Sequence, residues 1–138
     1  MDNFHYPDIA LLLARFALGY MFAASGFHKL FVRERHEKLV HTLTTDHIPI
    51  VWAMQWWIPL NEFAFGVLVI LGIGTEFSAA VLGLISLVAL IVDGLPRIKV
   101  WGPLNKCDYL CCLLYLPETL LGILALIVIM SGPGRFIV

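Results

Sequence analysis

Four apolar runs decide what this chain can fold into. They cover roughly residues 9–28, 54–74, 77–95 and 109–130, and each approaches the ~20 residues that a helix needs to cross the hydrocarbon core of a bilayer. In lipid the backbone must satisfy its own hydrogen bonds, so each run is expected to be helical. Hydrophobic residues make up 60% of the 138 and charged ones only 14%, too little polar surface to cover a soluble core of this size. The chain therefore reads as a single all-α domain, an integral membrane four-helix bundle. The first run lacks a basic leader and an Ala-x-Ala exit, so it reads as a span rather than a cleaved signal.

Only Gly74-Thr75-Glu76 separates the second run from the third, which forces an antiparallel hairpin. An even number of spans leaves both termini on one side. Lys29, Arg33, Arg35, Lys38, Arg97, Lys99 and Lys106 follow the first and third runs, against Arg135 alone on the other face. The positive-inside rule then predicts cytoplasmic connections and outside termini. Trp52, Trp56, Trp57 and Trp101 fall on the cytoplasmic side, as an interfacial belt would place them. Within the first connection Val32, His36, Leu39, Val40 and Leu43 recur at helical spacing. That pattern predicts an amphipathic helix over about 32–45 lying in the interface; a short soluble helix packed on the bundle end is the alternative. A net charge of -1 excludes a nucleic-acid role resting on bulk charge.

Three charges interrupt the apolar runs. By helical rise, Glu62 and Glu118 should lie ~12 Å in from the cytoplasmic boundary, and Arg15 ~9 Å in from the opposite one. A charge at mid-membrane costs on the order of 3 kcal/mol on insertion scales, so all three should face the bundle interior. The expectation is that Arg15 pairs with one glutamate while the other is held neutral. A polar pocket for a quinone head group, a proton or a small polar ligand is one reading of these residues. A structural ion pair that sets helix register is the other. Asn61 lies beside Glu62, and His28 and Lys29 close the first span, which places them at the mouth of the same candidate ligand site. Lys29 on its own would snorkel to head groups, while His28 can exchange protons near neutral pH.

"PLNEFAFGVLVILG" at 59–72 echoes "YLPETLLGILALIV" at 115–128. An offset of 56 aligns Leu60 with Leu116, Glu62 with Glu118, Gly66 with Gly122 and Leu68 with Leu124. Pro117 lacks the N–H that a helix would use, so it should kink the fourth span. Asp93 and Arg97, four apart, read as an ordinary solvated pair. Cys107, Cys111 and Cys112 do not form a Cys-x-x-Cys motif and read as buried free thiols rather than disulfide partners or metal ligands. The sequence carries no Walker loop, dinucleotide fingerprint or haem-type His pair, so any electron transfer is assigned to a partner.

The stretch "LLLARFALGYMFAASGFHKL" resembles the first helix of the DoxX family, with its Arg, a Gly four positions on, and a Ser-Gly-x-x-Lys-Leu-type ending. "NEFAFGVLVILGIGTEFSAAVL" is similar to that family's Glu-containing helix, glycine turn and threonine, and Glu118 with the closing "GPGRFIV" resembles its last helix and tail. The tail departs from the family pattern after Arg135, where Ser-Leu-Asp would commonly follow. The resemblance implies a bacterial inner-membrane four-helix protein. It also implies kinship with subunits and accessories of membrane oxidoreduction, a thiosulfate:quinone oxidoreductase among them. The leading expectation is a subunit or accessory of such a system that interacts with quinone or lipid and has no cofactor of its own. Its partners would be membrane lipids and a larger redox complex or further copies of itself. A non-catalytic structural or assembly subunit is the rival, and a small-molecule or proton conductor the weaker alternative; whether the chain is itself an enzyme stays open.

Overall fold

The computed structural model describes residues 6–101 and 106–134. Every regular element among them is helical: α1 (Tyr6–Phe31), α2 (Arg33–Thr45), α3 (Val51–Leu71), α4 (Thr75–Ala89), α5 (Leu95–Trp101), α6 (Lys106–Tyr115) and α7 (Pro117–Ser131). A π-helical turn, Leu90–Gly94, joins α4 to α5, so the third span runs unbroken from Thr75 to Val100. The sequence reading stopped that span at 95. Pro96 explains the difference: its ring would strike the carbonyl four residues back, and a widened turn lets the helix continue past it. Pro7–Phe31, Val51–Leu71 and Thr75–Val100 are each long and apolar enough to cross a membrane; α6 and α7 qualify only as a pair, bent by 70°. Leu116 at that bend is extended, φ −71° and ψ 130°, the conformation a residue preceding proline favours. The expected kink is therefore a sharp break, and α7 alone holds the apolar length beyond it.

The spans associate as two antiparallel pairs. In the first, α1 lies against α3 with almost no side chain between them. A Cβ added to Gly19 or Gly26 would come within 2.5 Å of the carbonyl oxygens of Gly66 or Pro59, and one on Gly66 within 2.6 Å of the Ala23 nitrogen. Small residues at these positions let helix backbones approach closely, the main source of helix association in lipid. In the second pair, Gly83 of α4 meets Ala125 of α7 and Ser86 meets Gly122. Leu11, Leu18 and Phe22 of α1, Val69 of α3, Ala79 and Leu82 of α4, and Ala125 and Val128 of α7 form one buried cluster that holds the two pairs together. Outward-facing residues such as Leu13, Phe16, Phe77 and Met130 are exposed and apolar. The chain is a multi-pass membrane helical bundle.

The hairpin between α3 and α4 turns at Gly72 (φ 83°) and Gly74 (φ 53°), slightly earlier than the expected Gly74-Thr75-Glu76. The amide of Ile73 reaches the Leu68 carbonyl at 3.0 Å, closing the helix end as a left-handed glycine cap does.

The amphipathic segment forms α2, which packs on α1 and α3. Leu43 is buried, His36 Nδ1 lies 3.0 Å from the Lys29 carbonyl, and the His36 ring lies tilted against Trp56 with centroids 4.5 Å apart. The opposite face carries Arg33–Glu37 and Glu34–Lys38 ion pairs, which in solvent are worth at most a few tenths of a kcal/mol each.

The two halves share one plan. A long helix, a short connecting helix and a returning helix describe both α1-α2-α3 and α4/α5-α6-α7. Glu62 and Glu118, matched by the sequence repeat, each lie on the returning helix of their half and face a cation from that half's first helix.

Candidate functional site

Ser25 and Lys29 are one turn apart on α1, so they share a face, and the glycine contact at Gly26 presses that face on α3 opposite Glu62. Lys29 Nζ lies 2.7 Å from Glu62 Oε1 and 2.8 Å from Oε2, and Ser25 Oγ donates to Oε2 at 3.1 Å. Glu62 is only 3% exposed, whereas the Lys29 side chain keeps 27% of its surface open. The carboxylate is thus interior and its cation reaches outward, the arrangement that makes an intramembrane acid tolerable.

The second half repeats the motif with Gly94-x-x-Arg97 in place of Gly26-x-x-Lys29. Arg97 Nη2 donates to Glu118 Oε1 at 2.5 Å and lies 3.0 Å from Asp93 Oδ2 as an ion pair, while its Nε donates to the Asp93 carbonyl at 3.3 Å. Arg97 and Asp93 are therefore more than the solvated pair expected from their spacing, because Arg97 also ties α5 to α7. Glu118 stands in the first turn of α7, where the helix dipole favours an anion. Its second oxygen, Oε2, is buried without a hydrogen-bond partner among the described residues, as are Ser86 Oγ and Thr119 Oγ1.

Arg15 does not pair with either glutamate. Its Nε and Nη2 donate at 3.2 Å to the carbonyls of Val69 and Ile70, and Nη1 donates at 2.5 Å to the carbonyl of Pro133. The correction has a simple cause. Along α3 those carbonyls stand seven and eight residues from Glu62, a rise of about 11 Å, well beyond the reach of one side chain. The Val69 carbonyl has only a 3.3 Å cap bond from the Gly72 N–H, and the last carbonyls of a helix carry its negative dipole end, so they attract a cation as a carboxylate does. Arg15 is 1% exposed and joins α1, the end of α3 and the C-terminal tail. A Cβ at Gly72 would land on its guanidinium. The single polar core expected from Arg15, Glu62 and Glu118 is accordingly split between opposite ends of the bundle.

Of the other candidates, His28 is exposed and only edges against Phe27. Asn61 donates to the Trp57 carbonyl one turn back in its own helix, at 2.7 Å. Neither joins the Lys29–Glu62 cluster. Sequence reasoning missed Ser25, although its four-residue spacing from Lys29 was available, and undervalued Arg97. Cys111 is exposed and Cys112 half-buried, both as free thiols, so they are not the interior thiols expected; the side chain of Cys107 lies outside the described residues. No group of three His, Cys, Asp or Glu side chains converges among the described residues.

A family model described as DoxX matches residues 10–93, more than half of the chain. The chain belongs to the DoxX family. The DoxX match takes in Arg15, Ser25, Lys29 and Glu62 and ends at Asp93, before Arg97, Glu118 and the tail. Neither a curated protein nor a solved structure matches the chain.

Proposed function

We propose that this DoxX protein is a subunit or accessory of a membrane oxidoreductase system, and that it binds a quinone head group at the end of the bundle carrying its two cation–carboxylate pairs. The observation that supports this reading is the Lys29–Glu62 pair, a buried acid held by a cation that still opens outward. Quinone oxygens need a donor and quinol hydroxyls an acceptor, and ionisable groups within a span are by default functional candidates. In this reading the protein sits in a bacterial inner membrane. Lys29, Arg33, Arg35, Lys38, Arg97 and Lys99 face the cytoplasm, both termini are outside, and a larger redox partner supplies the electron path.

The test is binding of a short-chain decyl-benzoquinone to the purified chain in lipid nanodiscs. Glu62→Gln and Lys29→Met are expected to weaken it at least tenfold. Saturable binding that ignores both substitutions overturns the reading.

One observation favours a structural alternative. Lys29 engages both oxygens of Glu62 and Ser25 engages one of them again, so this pair is complete without a ligand. Under that alternative the wild-type chain binds no quinone, and the same two substitutions lower only its thermal stability.

A further inference from the structure

The two halves place matching carboxylates against matching cations, and only the first set is saturated. Every oxygen of Glu62 has a partner, whereas Glu118 Oε2 has none, and the hydroxyls of Ser86 and Thr119 are likewise open among the described residues. These three orphans border one helix pair, α4 and α7, within about a turn of Gly122. Glu118 and Thr119 are one turn before Gly122 on α7, on the face that meets α4, and Ser86 is the α4 residue opposite Gly122. Ser86 is 2% exposed, so no bulk water compensates its hydroxyl. A buried polar atom without a partner carries the full cost of its desolvation, and three together at one interface point to a missing polar guest.

The second interface is also less tightly closed than the first. A Cβ added to Gly122 would meet nothing nearer than the Ser86 Cβ at 3.9 Å, whereas one on Gly66, its counterpart in the first half, would strike backbone at 2.6 Å. The second interface is looser at the very position where its polar atoms are open. The rest of the Glu118 side chain retains 18% of its surface beside the half-exposed Arg97, so the route to the buried Oε2 runs from that side.

Building on the quinone reading above, we propose that the α4–α7 interface holds one phenolic hydroxyl of a quinol. The hydroxyl donates to Glu118 Oε2 and accepts from Ser86 Oγ, with Thr119 Oγ1 flanking it beside Gly122, where no side chain intervenes. Arg97, already on Oε1, keeps the carboxylate in place.

The experiment compares affinities of the intact chain in nanodiscs for decyl-benzoquinol and for its oxidised form. The wild type should prefer the quinol, since only the reduced head group can donate to Oε2. Ser86→Ala, Thr119→Val and Gly122→Ala should each weaken quinol binding at least fivefold and move the preference toward parity. None should lower the melting temperature of the ligand-free chain, because the hydroxyls removed have no partner there and the methyl added at Gly122 meets only van der Waals contact. Quinol binding that all three variants leave within twofold of wild type overturns the inference while the quinone reading stands; the pocket then holds water at most. A wild-type chain that binds neither form overturns both.

Discussion

Glu62 and Glu118 each lie on the returning helix of their half of the bundle, yet one has every oxygen engaged and the other only one. The difference follows from packing. Glycine-to-backbone contact draws α1 onto α3 until Lys29 and Ser25 both reach Glu62. The α4–α7 pair stands further apart, and Arg97 divides itself between Asp93 and Glu118.

The Lys29–Glu62 pair should behave as a buried ion pair. Breaking it from one side leaves an uncompensated charge, so Glu62→Leu or Lys29→Met alone is expected to cost about 3 kcal/mol. The double substitution should recover most of that loss, since two apolar residues leave no orphan charge. Thermal unfolding of the wild type and the three variants in detergent gives the coupling. Additive losses would show that the pair does not hold the helices together.

Glycine substitutions should separate the two interfaces. Gly66→Ala forces a methyl into the Ala23 nitrogen and the Gly19 carbonyl, both backbone atoms, and should destabilise the bundle by roughly 1–3 kcal/mol, as overpacking does. Gly122→Ala meets only the Ser86 Cβ and gains helix propensity, so it should be neutral or stabilising by up to about 1 kcal/mol. Equal losses at the two sites would contradict the difference in packing.

Topology has its own test. In a chain with Cys107, Cys111 and Cys112 replaced by Ser, a single cysteine at the exposed Lys38 of α2 should react with a membrane-impermeant maleimide only when the cytoplasmic face is accessible. A cysteine at the exposed Ser131, at the far end of α7, should show the opposite pattern. Labelling of Lys38→Cys from outside intact cells would invert the proposed orientation.

Much of this arrangement was legible in the residues. The apolar runs predicted the helical spans, the periodicity of Val32 to Leu43 predicted α2, Pro117 predicted a kink where the structure breaks at Leu116, and the Glu-x-x-x-Gly echo pointed to a carboxylate on each returning helix. What failed was pairing. Periodicity shows which face of a helix is buried but not which neighbour covers it, so Arg15 was matched to the carboxylates lying well inside the spans. A helix end offers unpaired carbonyls whatever its sequence, and no residue pattern marks them. Arg97 was undervalued for a related reason: its local partner Asp93 is visible in the spacing, whereas Glu118 comes near only because α7 returns alongside α5.

Arg15 is therefore predicted to act as a clamp, with its charge alone insufficient. Its planar fork spans the Val69 and Ile70 carbonyls on one side and Pro133 on the other, a spread that a lysine ammonium cannot match. Arg15→Lys keeps the charge but should forfeit about two of these bonds; at ~1.5 kcal/mol for a bond from a charged donor, the loss is roughly 3 kcal/mol. The tail should respond first, because Pro133 reaches the bundle through Arg15 and Gly134 rests on Leu11. In Arg15→Lys, limited proteolysis should clip the chain beyond Ser131 faster than in wild type, while α3 stays protected. Gly72→Ala, which drives a methyl into the guanidinium at a left-handed backbone position, should reproduce the same loosening with Arg15 still present. A tail that stays protected in both variants would show that it is anchored elsewhere.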